Sequence, residues 1–153
     1  MMHKIILGVD PGAQGAIAIL ELNKKSRVIP FKKYSWGVVA QVLHEHTKEF
    51  PLYYAYVEAV AALPKDGAHN AFTFGENTGI IKGILIANGI IFTEVHSQKW
   101  QRHFGLGAKY PSKTARKNAQ KAKAQELFPD IKVTLDIADA LLIAKYGYDI
   151  SRS

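Results

Sequence analysis

Four carboxylates stand at the ends or on the faces of apolar segments: Asp10, Glu58, Asp136 and Asp139. Asp10 closes the run Ile5-Ile6-Leu7-Gly8-Val9 and precedes Pro11-Gly12. Glu58 closes Tyr53-Tyr54-Ala55-Tyr56-Val57 in the same manner. Asp136 and Asp139 are three apart in a helical stretch from about Leu135 to Tyr146, so they share a face near its first turn. Each acid also has an ordinary explanation. Asp before Pro-Gly opens turns, and acids near a helix N-terminus are favoured by the helix dipole. Against the second stands the company of Ala138, Ala140, Leu141 and Leu142, because an acid pair in apolar surroundings is costly unless a cation neutralises it. Oxygen-only donors suit Mg²⁺ or Mn²⁺, not zinc. Two such ions about 3.5–4 Å apart activate water and stabilise the leaving oxygen at a phosphodiester.

The elements that must position these acids follow from periodicity. Ile5–Val9 and Ala16–Leu20 read as strands joined by the Asp-Pro-Gly turn, a hairpin that delivers Asp10 at the end of its first strand. A third strand is expected from Arg27 to about Tyr34. Val38, Val39, Val42, Leu43 and Phe50 recur at helical spacing from Trp36 to Phe50, and Pro51 stops that helix. Tyr53–Val57 is a fourth strand. Ala61 to Ala71, with Pro64, Asp66 and Gly67, reads as a loop, and a helix follows from Ala71 or Phe72 to Ala87. Gly75, Gly79 and Gly83 form one bare stripe on that helix. Each weakens it by about 1 kcal/mol relative to Ala, so close approach of another backbone, the sheet or a partner helix, is expected there. Gly89 closes the helix as a left-handed cap, and Ile90–Val95 is a fifth strand. Ser97 is placed to cap a short helix over Gln98–Phe104. After a loop from Gly105 to Pro111, Ser112 caps a helix from Lys113 to Phe128. On the helical wheel Lys113, Arg116, Lys117, Gln120 and Lys121 lie broadly on the side that also carries Ala124, Leu127 and Phe128. The far end is therefore expected to dock on the core while the basic half projects, although a solvated helix is Lys-rich as well.

Composition bounds the rest. The chain has 153 residues, one domain's worth, and 48% of them are hydrophobic, which suits a folded core. The absence of cysteine excludes disulfides, thiolate zinc sites and cysteine nucleophiles, and is compatible with a reducing cytoplasm. Twenty Lys and Arg against thirteen Asp and Glu give a net charge of +7, a balance that favours a polyanionic partner, most often nucleic acid. Met1-Met2-His3-Lys4 leads straight into the first strand and leaves no room for a signal peptide. Ile80–Phe92 is interrupted by Lys82 and Asn88 and too short to span a bilayer, so a soluble, cytoplasmic protein is expected. His44, His46, His69, His96 and His103 show no metal-ligand spacing that would face one way and read as surface or loop residues.

Val9-Asp10-Pro11-Gly12, Val57-Glu58 and Asp136-Ile137-Ala138-Asp139-Ala140-Leu141 together resemble the acidic motifs of RuvC-type Holliday junction resolvases, within the ribonuclease H-like superfamily. The likeness spans nearly the whole chain in order and spacing. The compact length and the segments Phe72-Thr73-Phe74-Gly75 and Gln98-Lys99-Trp100 are more similar to phage-type members. The resemblance implies an α/β fold, a ribonuclease H-like mixed five-stranded sheet with its first three strands antiparallel, flanked by helices in a single domain over 1–153. It implies a homodimeric endonuclease that nicks symmetric strands of a four-way DNA junction and leaves a 5′-phosphate and a 3′-hydroxyl. Asp10, Glu58, Asp136 and Asp139 would hold Mg²⁺, with Mn²⁺ as a substitute and two ions per site. Lys99 and Lys113 would approach the scissile phosphate, Lys113 as a catalytic residue. Arg116 and Lys117 would lie on the DNA backbone, with Lys109 and Lys121 completing the DNA-binding set. One departure is plain: members often carry an aromatic shortly after the fourth-strand Glu, where this chain has Ala61, Ala62 and Leu63, and the nearest aromatics are Phe72 and Phe74.

Three other readings share some of these residues. A related nuclease acting on flaps, forks or RNA–DNA hybrids would keep the same acids. A non-catalytic junction-binding module would keep the fold, but binding phosphates alone favours losing negative charge rather than retaining four acids. An actin-like nucleotide-binding fold would use Asp10-Pro11-Gly12 and Gly15 as a phosphate loop, but the chain is too short for two lobes and has no second such loop. Symmetric cutting calls for two sites related by a two-fold axis, and the glycine-striped helix is the candidate interface.

Overall fold

A computed structural model describes residues 5–49, 53–61 and 63–152. Met1–Lys4, Phe50, Pro51 and Ala62, used in the sequence reading above, lie outside the described residues. Five strands form one mixed sheet in the order β3-β2-β1-β4-β5. β1 (Ile5–Asp10), β2 (Ala16–Leu20) and β3 (Arg27–Pro30) are antiparallel neighbours, whereas β4 (Tyr53–Glu58) and β5 (Ile91–Val95) run parallel to β1. The expected α/β sheet with three antiparallel leading strands is therefore present.

Alternation along the central strands divides the core into two layers, as the period of two requires. Ile5, Leu7, Val9, Ile17, Ile19, Ala55 and Val57 point to the face covered by α1 (Trp36–Glu49) and α2 (Gly67–Ala87). Ile6, Ala16, Ala18, Leu20 and Tyr56 point to the other face, covered by α3 (Ser97–His103), α4 (Lys113–Leu127) and above all α5 (Leu135–Ile150). Every residue of α5 from Ile137 to Ala144 is buried, which makes it a core helix laid across β1 and β2. Gly8 permits this: a β-carbon there would fall 2.2 Å from the Ala140 carbonyl oxygen and 2.3 Å from the Ala144 nitrogen.

Several boundaries differ from expectation. β3 ends at Pro30 and the chain turns into a short 3-10 helix, Phe31–Lys33, instead of continuing to Tyr34. Phe31 is drawn inward by burial of its ring and by its N–H, which donates to the Gly15 carbonyl at 3.0 Å. α2 begins at Gly67, inside the segment read as a loop. A 3-10 turn, Pro64–Asp66, precedes it, and the Asp66 carboxylate accepts from the Leu63 N–H at 2.7 Å. β5 starts at Ile91, with Ile90 buried just before it. His96 holds the extended cap position before α3, with no side-chain cap, so Ser97 is the first helical residue rather than its cap. Among the described residues of α1, Val39 and Leu43 are buried, while Val38 and Val42 are partly exposed. α5 runs on to Ile150. Ser112 does cap α4, accepting from the Ala115 N–H at 3.0 Å, and Gly89 has the expected positive φ of 67°.

Candidate active site

Parallel pairing fixes the first two acids. Val9 faces Val57 across β1 and β4, so the next residues, Asp10 and Glu58, emerge side by side at the same sheet end. The β1–β2 turn is too tight for a side chain at Gly15, whose β-carbon would lie 2.0 Å from the Asp10 carbonyl oxygen. The Gly12 N–H donates to Asp10 Oδ1 at 3.2 Å and orients that carboxylate. Glu58 Oε2 accepts from the indole N–H of the fully buried Trp100 at 3.0 Å. The third acid comes from above, because α5 carries Asp139 over the same end with only 4% of its surface exposed.

These three carboxylates repel one another. Burial, then the neighbouring Asp139 charge, raises Asp10 from its ordinary value to about 6. Burial, then Asp10 and Asp139, raises Glu58 to about 7. One oxygen of Asp139, Oδ1, is buried without a hydrogen-bond partner, and the other, Oδ2, accepts from the Lys117 ammonium at 2.6 Å. Burial opposes the charge on Lys117, but Asp139, Asp10 and Glu58 outweigh it and raise the lysine's pKa. A single ammonium thus neutralises part of a three-carboxylate site.

Asp136, the fourth expected ligand, stands apart. It is ion-paired to Lys32 of the 3-10 turn, and its charge is the weakest of those raising Asp10. Among the described residues no three acids or histidines are arranged to hold one metal ion as they stand. The donor chemistry nevertheless fits a hard divalent ion: oxygen donors only, one orphaned buried oxygen, and two buried carboxylates that Gly12, Trp100 and Lys117 compensate only in part.

The remaining expected residues are distributed around this centre. Lys99, Lys109, Lys113, Arg116 and Lys121 are exposed. Lys117, expected on the DNA backbone, instead reaches the acids, one turn beyond Lys113. The reason is that the inward face of α4 runs through Lys117, Gln120 and Ala124, the last two buried. Sequence reasoning missed two residues. Trp100 carried a signal, being an aromatic in an otherwise polar short helix. Lys32 carried none, because its segment was read as strand. A cavity of about 280 Å³ at the opposite end of the sheet, between the β2–β3 turn and the α4–α5 connection, contains none of the four acids.

No family model matches the sequence, and no curated protein matches it. Solved structures do. The chain superimposes on the Thermus thermophilus RuvC structure with a TM-score of 0.64, covering 97% of this chain and 95% of that one at 16% identity. The chain has the RuvC fold. The T. thermophilus RuvC in complex with Holliday junction substrate gives 0.63 at 14% identity with the same coverage. The yeast mitochondrial Holliday junction resolvase Ydc2 gives 0.49 at 13% identity over 92% of this chain and 76% of that one. Within this RuvC fold, the acids Asp10, Glu58 and Asp139 share one sheet end. Among the described residues no helix is long and apolar enough to cross a membrane.

Proposed function

We propose that the chain is a divalent-metal-dependent endonuclease that resolves four-way DNA junctions by paired, symmetric nicks. The observation that carries this reading is the convergence of Asp10, Glu58 and Asp139 at one sheet end with an unpartnered buried oxygen, in a chain with the RuvC fold. Asp10, Glu58, Asp136 and Asp139 would hold two Mg²⁺ ions, or Mn²⁺ in their place. Bound there, the metal supplies Lewis-acid activation of water and stabilisation of the leaving oxygen.

The chain's own residues do the positioning. Trp100 holds one oxygen of Glu58, and Gly12 holds one of Asp10, so the free oxygens of both keep a fixed direction. Lys117 holds Asp139 Oδ2 in an ion pair at 2.6 Å and would offer an ammonium to the phosphate when DNA is bound. The exposed cations Lys113, Arg116 and Lys121 on α4, with Lys99 and Lys109, face outward for the DNA backbone. Cutting leaves a 5′-phosphate and a 3′-hydroxyl.

Two cuts of like polarity call for a homodimer. Its candidate surface is α2, where Gly75, Gly79 and Gly83 meet nothing within 4 Å and the flanking Phe72 and Ile86 are 71% and 66% exposed.

The test is cleavage of a mobile four-way junction with Mg²⁺, Mn²⁺ or EDTA, comparing wild type, Asp10→Asn and Asp139→Asn, with duplex, flap and hybrid controls. Paired ligatable nicks seen only with metal and lost in both variants are expected. Tight junction binding with no cleavage under either metal would mean that the acids serve the Lys117 ion pair in a binding module. Equal cutting of flaps or hybrids would keep the chemistry and move the substrate.

A further inference from the structure

Beside Asp136 lies a cleft of about 300 Å³ between the 3-10 turn and the loop that enters α5. Lys32, Lys33 and Tyr34 form one wall, and Lys132, Thr134 and Asp136 the other. Three ammoniums face one carboxylate, and among the described residues neither Lys33 nor Lys132 makes an ion pair. Tyr34 is 45% exposed at the same wall, a surface on which a base or sugar can stack. The Phe31 N–H bond to the Gly15 carbonyl ties this turn to the Asp10 hairpin, so the cleft is fixed relative to the acids.

We propose that this cleft carries the DNA strand leaving the acid site, and that Lys32 exchanges its Asp136 partner for a backbone phosphate when DNA binds. Asp136 is thereby released toward Asp10 and Asp139, and the four-acid set is completed only with substrate in place. This accounts for Asp136 being held by Lys32 and standing apart from the other three acids. A phosphate is the better partner for an exposed lysine in a net positive cleft, because its binding releases counterions. The inference rests on the nuclease reading above, and the experiment separates the two.

Affinity for a labelled junction is measured in EDTA over a range of KCl for wild type, for the Lys32→Met/Lys33→Met/Lys132→Met triple variant, and for Lys25→Met at the opposite sheet end. Each lost phosphate contact lowers the slope of log K against log salt by about 0.9, so the triple variant is expected to lose about 2 to 3 from the slope. Lys25→Met should match wild type, and Lys32→Arg should keep the slope. Because these lysines are exposed, melting curves serve as the folding check, and Lys132→Met alone gives a second reading. Mn²⁺ titration by calorimetry without DNA tests the release of Asp136. Lys32→Met should bind Mn²⁺ several-fold tighter than Lys33→Met, which removes the same charge without freeing an acid. A wild type that binds neither junction nor duplex overturns the nuclease reading and the cleft with it. Wild-type binding with an unchanged triple variant overturns the cleft alone, and equal Mn²⁺ gains in the two single variants overturn the exchange at Asp136.

Discussion

α5 and α2 both depend on glycine for their surroundings, in opposite ways. Where α5 crosses β1, the space that a side chain at Gly8 would fill is taken by the backbone of Ala140 and Ala144. On α2 the glycines belong to the helix itself, and among the described residues nothing lies within 4 Å of where a β-carbon at Gly75, Gly79 or Gly83 would stand. The first arrangement converts a missing side chain into close helix–strand packing and brings Asp139 to the acids. The second weakens a helix by about 1 kcal/mol per glycine with no compensating contact among the described residues. Small residues at helical spacing therefore do not say by themselves whether the contact they permit is internal or external.

The sharpest way to break this contrast is Gly8→Ala. The new methyl would meet backbone atoms, which no rotamer change relieves, so a loss of about 3 kcal/mol or more in urea denaturation is expected. Near-wild-type stability would show that α5 can slide on the sheet.

The acids at the ends of β1 and β4, beneath α5, make a second prediction, in pH. Asp10 and Glu58 are raised to about 6 and about 7 in the folded protein, above their values in the unfolded chain. Between those limits the folded state binds more protons than the unfolded state, so metal-free stability falls as pH rises from about 4 to about 7. The metal-free protein should be more stable at pH 5 than at pH 7.5, by about 4 kcal/mol. Asp10→Asn should flatten the profile and raise the melting temperature at pH 7.5. Mg²⁺ should reverse the trend, since its binding displaces protons. A metal-free profile that rises with pH over this window would contradict the description of Asp10 and Glu58 as only partly compensated.

The smallest effect belongs to α2. Gly79→Ala should stabilise the protomer by about 1 kcal/mol in denaturant, whereas Gly79→Leu should shift a dimer to monomer in sedimentation. An intact Gly79→Leu dimer would remove α2 as the interface.

The same contrast explains how far the sequence could be read. β1, β2 and β4 were legible because uninterrupted apolar runs end in an acid or a turn signal, and Asp10 and Glu58 came with them. Asp139 was legible from its apolar neighbours. Lys117 was grouped on the correct helical face with Gln120 and Ala124, but a helical wheel does not say which face points inward. Packing against α5 decides that, and it brings Lys117 rather than Lys113 to the acids. The end of β3 and the start of α2 were lost for a related reason. The bond from Phe31 to Gly15 and the turn before Gly67 depend on where the chain is held, and local propensity carries no trace of the first.

The placement of α5 has a consequence for biosynthesis. Its residues leave the ribosome long after the β1–β2 hairpin, yet they supply Asp139 and the cover for one apolar face of that hairpin. Until α5 emerges, a nascent chain can form the hairpin and even bring Asp10 beside Glu58, but it lacks the third acid and exposes Ile6, Ala16 and Ala18. Completion of the acid cluster and the covering of this apolar face therefore arrive in the same late step, so the partly made chain lacks both at once.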